Sequence, residues 1–120
     1  MGGIVDFDPW ESIVEELGDR PRMLVSTLRY DVFCAFIIGF GIGRDDGVLL
    51  GFTEWLARRQ AKYKNYGLVS MVLAEARIHA LGEIGQRPEL SAEEDARARA
   101  ELLALLRLFL TETGAAPVPD

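Results

Sequence analysis

One cysteine and one histidine are all that these 120 residues offer to redox or metal chemistry. Cys34 has no second thiol to bond, and no Cys-x-x-Cys pair exists. Its neighbours, Val32-Phe-Cys-Ala-Phe36, mark a buried core thiol of a reducing compartment. A nucleophilic cysteine needs a nearby base, and His79 is far along the chain. Glu75 and His79 stand four apart, a spacing that suits a hydrogen bond within one helix better than a metal pair. The Glu-x-x-His of di-carboxylate centres is absent. The reading is therefore no metal and no cofactor.

Long hydrophobic runs are missing too. The longest, Val32–Gly43, has about 12 residues, whereas a membrane-spanning helix needs about 20. No Lys or Arg occurs among residues 1–19, so the basic start of a signal peptide is absent. Both absences point to a soluble, cytoplasmic chain. Gly39-Phe-Gly-Ile-Gly43 has the spacing G-x-G-x-G, not G-x-G-x-x-G, and follows a helical stretch rather than a strand. It reads as a helix end where small residues permit close packing and positive φ. No nucleophile elbow surrounds Ser12, Ser26, Ser70 or Ser91. Asp45-Asp46 is an adjacent carboxylate pair, and it reads as a helix cap with a solvated neighbour. A small enzyme with a pocket around Asp45, Trp55 and Arg58 is thus a minority reading.

What is present favours a single all-α domain. Hydrophobic residues make up 49% of the chain, enough for a core in one compact unit. Asp8-Pro-Trp-Glu11 opens a first helix with a capping aspartate and an early proline. Trp10, Ile13, Val14 and Leu17 give its apolar stripe, and Gly18 and Pro21 stop it. Arg22–Val25 reads as extended. A second helix spans about Thr27 to Ile42 and is apolar nearly all round, Phe36 included, so it is expected at the centre, covered by the others.

Asp45 or Asp46 caps a third helix with Val48, Leu49, Phe52, Trp55 and Leu56 on one face. A fourth runs from near Tyr66 to Leu81, ended by Gly82 and Gly85. Ser91-Ala-Glu-Glu94 is a capping box for a fifth, with Leu102, Leu105, Leu106 and Phe109 inward and Gly114 at its end. The expected fold is about five helices around a central apolar helix over residues 1–114, with a flexible tail over 115–120.

The net charge of −6 is unevenly placed. Asp6, Asp8, Glu11, Glu15, Glu16 and Asp19 supply all of it, and the rest of the chain balances. Nucleic acid is a poor partner for such a surface. An acidic first helix suits a basic protein instead, with Glu11, Glu15 and Glu16 as candidate contacts. A second candidate surface is the basic, aromatic end of the third helix: Arg58, Arg59, Lys62, Tyr63, Lys64, Asn65 and Tyr66. Arginine and tyrosine are favoured interface anchors. The plainer account is that these cations offset a helix dipole and the tyrosines cover the core edge.

Arg20-Pro-Arg-Met23, Phe36-Ile-Ile-Gly-Phe40, Gly51-Phe-Thr-Glu-Trp-Leu-Ala-Arg58 and Asn65 before an apolar helix resemble the pattern of a group of small actinobacterial helical proteins. That group is similar to the immunity proteins found beside polymorphic toxins. The resemblance covers roughly residues 20–75, and Gly67-Leu68 stands where a tryptophan is expected. It implies a non-enzymatic interaction domain that binds and blocks a partner, such as a basic toxin domain. The alternative is a structural or regulatory subunit that self-associates into a homo-oligomer.

Overall fold

Periodic burial explains each helix. In the computed structural model, which describes residues 8–60, 67–78 and 90–114, no strand occurs among the described residues. Trp10, Val14 and Leu17 are buried along one side of helix α1, Asp8–Asp19. Gly18 lies within this helix, not beyond it. Residues Pro21–Met23 form one 3-10 turn rather than the expected extended segment, because the proline supplies a helical φ and Leu24 N–H bonds back to Pro21 O.

Helix α2 spans Tyr30–Arg44, starting and ending later than its sequence pattern suggests. Its first turn is capped from far away. Asp95 Oδ2 accepts Tyr30 N–H at 2.9 Å, so an acid of the last helix serves the N-terminus of the second. Asp45 ends α2 in the left-handed conformation, with φ of 50°. Helix α3, Val48–Arg59, follows after Gly47, and Asp46 Oδ1 accepts Val48 N–H at 3.1 Å. The two neighbouring aspartates therefore divide the work, one closing α2 and one opening α3.

Helix α4 is short, Leu68–Glu75, and does not reach Leu81. Arg77 takes a left-handed φ of 58°. Ile78 N–H reaches back to Leu73 O and Arg77 N–H to Ala74 O, both at 3.0 Å. This is a Schellman stop with arginine where glycine is usual. Arg97 Nη2 also donates to Ala76 O at 2.7 Å. Gly82, Gly85 and the other residues of 79–89 lie outside the described part, as does the tail over 115–120.

Helix α5, Ala92–Gly114, is the longest, about 34 Å at 1.5 Å per residue. Its capping box forms as expected: Glu94 N–H bonds Ser91 Oγ at 3.1 Å and Ser91 N–H bonds Glu94 Oε1 at 3.0 Å. It packs on α1, α2, α3 and α4 alike. Ala98, Leu102, Leu103, Leu105, Leu106, Phe109 and Leu110 are buried there. The centre of the molecule is thus α5, and the expectation that α2 fills that place is corrected. Ala35 and Gly39 of α2 face solvent, and Phe36 is only partly buried, stacked on Phe40 at 6.3 Å. An apolar composition all round made α2 available for burial on any side. Its neighbours cover one side only.

Buried aromatic residues with a polar end lock the helices in register. Trp10 Nε1 donates to Asp46 Oδ2 at 3.0 Å, which ties α1 to the α2–α3 turn. Tyr30 O–H donates to Val69 O, which ties α2 to α4. Trp55 Nε1 donates to Glu112 Oε2 at 3.2 Å, which ties α3 to α5. Phe52, Trp55 and Phe109 meet at ring separations of 5.6 to 6.0 Å, and Trp10 meets Phe40 edge-on at 4.8 Å. Cys34 is buried beside Tyr30, and burial pushes its thiol up to about 12, which leaves it a protonated core group.

The three glycines of α2 are not a helix end. All lie inside the helix, and none has positive φ. Only Gly41 is needed for packing, since a Cβ there falls 2.6 Å from Leu49 Cβ. Gly39 and Gly43 have open space in that direction. Gly39→Ala is expected to stabilise the protein by about 0.5–1 kcal/mol, the usual gain of alanine over glycine within a helix. Gly41→Ala is expected to lower the melting temperature, because α2 and α3 must separate. Parallel thermal melts check both, and equal shifts of one sign contradict the packing.

Candidate functional site

The sequence pointed to two surfaces, the acidic face of α1 and the basic end of α3. Helix periodicity separates the three α1 glutamates. Glu11 and Glu15, four residues apart, share one face, while Glu16 is turned about 100° from Glu15 and forms an ion pair with Arg20. Glu11 and Glu15 are exposed and have no hydrogen-bond or ion-pair partner among the described residues. They line a cleft of about 310 Å³ between α1 and α5, together with Val14, Arg107, Leu110 and Thr111.

The other half of this cleft comes from the far end of the sequence. Leu110 is buried at its floor beside Val14. Thr111 adds a hydroxyl at the rim. Arg107 lies across α1 at Gly18, where a Cβ would sit 2.7 Å from Arg107 Nη2. Gly18, which the sequence offered only as a helix stop, makes room for this guanidinium. Arg107, Leu110 and Thr111 were not legible as site residues. In sequence they belong to a long helix of ordinary amphipathic pattern, and only its packing against α1 brings them to Glu11 and Glu15.

Within the basic patch, Arg59 is engaged in structure. Arg59 binds Glu75 through both ends of its guanidinium, Nε to Oε2 and Nη2 to Oε1, each at 3.2 Å. It also covers the Trp55 ring at 4.8 Å. Gln60 Nε2 donates to Met71 O at 2.6 Å and Glu75 Oε2 at 2.9 Å. These bonds fasten the end of α3 to α4, so Arg59 is a structural contact. Arg58 is exposed. Lys62, Tyr63, Lys64, Asn65 and Tyr66 lie outside the described residues, as does His79, the partner expected for Glu75.

Asp45, Trp55 and Arg58 do not converge on a pocket. Asp45 precedes α3 and is exposed, while Trp55 is buried near its other end against Phe109. Asp46 is a junction instead. It accepts from Trp10, from Val48 N–H and from Arg44 Nε at 3.0 Å. Among the described residues, no cluster of three or more His, Cys, Asp or Glu has metal-site geometry, and no helix is long and apolar enough to cross a membrane.

One more surface is uncharged. Ile42 is 68% exposed and Leu50 64% exposed, on neighbouring helices joined by a short turn. Ala35, Gly39 and Gly43 continue the exposed side of α2 without a charge.

Two carboxylates titrate with the fold. Burial alone raises Asp46, but its bonds from Arg44, Val48 N–H and Trp10 outweigh that and hold it below the usual value of 3.8. The Arg59 bonds hold Glu75 below 4.5 against partial burial, with help from Gln60. A depressed folded pKa means that the unfolded chain takes up protons first on acidification. The stabilisation is therefore complete above pH 4.5 and lost as pH falls through the lowered folded values. Thermal melts from neutral to acid pH are expected to show this decline, and Asp46→Asn with Glu75→Gln is expected to flatten it. An undiminished acid slope in the double variant contradicts the assignment.

No known protein family, no curated protein and no solved structure matches this chain.

Proposed function

We propose that this chain is a non-enzymatic protein-interaction domain that binds and blocks a basic partner, in the manner of an immunity protein, and that the outer face of α1 meets that partner. The observation that carries this reading is the pair Glu11 and Glu15. Both are exposed and unpaired among the described residues, and both project from a helix whose other side is held by Trp10, Val14 and Leu17. Carboxylates that serve stability tend to sit against cations, as Glu75, Asp95 and Asp46 do here. Glu11 and Glu15 make no such pair among the described residues, which leaves their charge open to a partner. Exposed charge of one sign raises the rate of encounter with an oppositely charged protein over about one Debye length, about 8 Å at physiological salt.

A gene for a large toxin next to this one supports the immunity form of the reading. The direct test uses the partner so identified. Replacing Glu11, Glu15 and Glu16 with Gln is expected to slow association by about tenfold at low salt and to reduce its salt dependence, with the helical circular dichroism unchanged. Stopped-flow association at low and high salt measures this. Association as fast as the parent at low salt contradicts the role of α1.

A second reading, self-association, is favoured by the exposed Ile42 and Leu50 beside the bare Gly39 and Gly43. In this reading the uncharged side of α2 packs on a second copy. Sedimentation equilibrium is expected to show a dimer that Ile42→Glu converts to monomer. A parent protein that stays monomeric as concentration rises removes this reading.

A further inference from the structure

The α1–α5 cleft differs from a simple acidic patch because its two ends carry opposite charge. Gly18 of α1 lies beside Leu103 and Arg107 of α5, whereas Glu11 and Val14 share the cleft with Leu110 and Thr111. The two helices therefore run antiparallel. Glu11 and Glu15 mark one end, and the Arg107 guanidinium, resting over Gly18, marks the other. None of the three has an ion-pair partner among the described residues. Between them lies an apolar floor of Val14 and Leu110.

A ligand that satisfies this cleft offers a cation, an apolar stem and an anion in that order. The spacing selects further. From the midpoint of Glu11 and Glu15 to Gly18 is five residues of helix, a backbone rise of about 7.5 Å at 1.5 Å per residue. An extended lysine spans six single bonds of about 1.5 Å from its ammonium to its α-carboxylate, about 7 Å when staggered. Resting on the reading of α1 as the partner-facing helix, we propose that this cleft binds the C-terminal lysine of the partner protein. The ε-ammonium lies between Glu11 and Glu15. The methylene stem spans the cleft above Val14 and Leu110, with its charged ends at the two ends of the cleft. The terminal carboxylate pairs with Arg107, whose planar fork suits it.

Close alternatives fit less well. A lysine within a chain has no carboxylate for Arg107. Free lysine adds an α-ammonium beside that guanidinium, and like charges repel. The amide nitrogen of a C-terminal residue is neutral. A nucleic-acid strand brings no cation for Glu11 and Glu15.

The test is an amide NMR titration of the intact chain with two probes, Nα-acetyl-lysine and Nα-acetyl-lysine methylamide. The second lacks only the terminal carboxylate. Shifts are expected at Glu11, Val14, Glu15, Arg107, Leu110 and Thr111. Nα-acetyl-lysine is expected to bind about tenfold more tightly, the effect of one exposed charge-assisted pair. Arg107→Gln is expected to abolish the difference between probes, and Glu15→Gln to weaken both. These side chains are exposed, and an unchanged spectrum away from the cleft confirms that each variant folds. Equal affinity for the two probes, shifts elsewhere, or no shift up to the solubility limit overturns the proposal. Such a result leaves the electrostatic role of α1 standing, since that rests on association rates with the whole partner. Slow capture by the glutamine variants together with equal probe affinity therefore separates the two.

Discussion

A buried indole N–H must find an acceptor, and Trp10 finds one at Asp46, 36 residues away. The same carboxylate takes the first free N–H of α3 and the Arg44 guanidinium at the end of α2. One side chain thus joins the first turn of α1, the end of α2 and the start of α3. If Asp46 were absent, the indole would be buried with an unmade hydrogen bond, the start of α3 would lose its cap, and Arg44 would lose its nearest anion. The position of α1 depends on this junction at one end and on contact with α5 along its length. So does the cleft, because its acidic wall is α1 itself.

The remaining helices follow the same logic of polar ends on apolar bodies. Leucine and valine stripes bring helices together but tolerate sliding, because apolar contact has no direction. Tyr30, Trp55 and Asp95 add direction. Tyr30 gives its hydroxyl to α4 and its N–H to Asp95 of α5, and Arg99 holds Asp95 in place at 2.8 Å while lying 5.7 Å from the Phe33 ring. Trp55 gives its N–H to α5 at the opposite end. These bonds lie at both ends of the long helix, which explains how α5 organises four neighbours in one register.

The arrangement of charge follows from the packing. Cations of α3 and α5 are drawn into contacts with Glu75, Asp95 and the Ala76 carbonyl, where they close helix ends. On α1, Glu16 pairs with Arg20, while Glu11 and Glu15 make no ion pair among the described residues. Glu11 and Glu15 leave two exposed negative charges on one outer helix, beside the Arg107 guanidinium.

Sequence by itself determined the local elements. Apolar spacing of 3.6 residues placed α1, α3 and α5, and Ser91 with Glu94 specified a cap that forms as written, because a capping box is closed by residues three apart. Cys34 as a core thiol was legible for the same reason, from its immediate neighbours. Tertiary structure decided which apolar face is covered. A sequence apolar all round, as in α2, does not say which side meets a neighbour, and the central position went to α5. The end of α4 was also hidden, since Arg77 adopts the conformation that glycine signals, supported by Arg97 from another helix. The cleft was least legible of all. Glu11 and Glu15 are visible as an acidic pair, but Arg107 and Leu110 join them only when two antiparallel helices from opposite ends of the chain pack together. Such pairing depends on the summed burial of the whole core, and no local pattern encodes it.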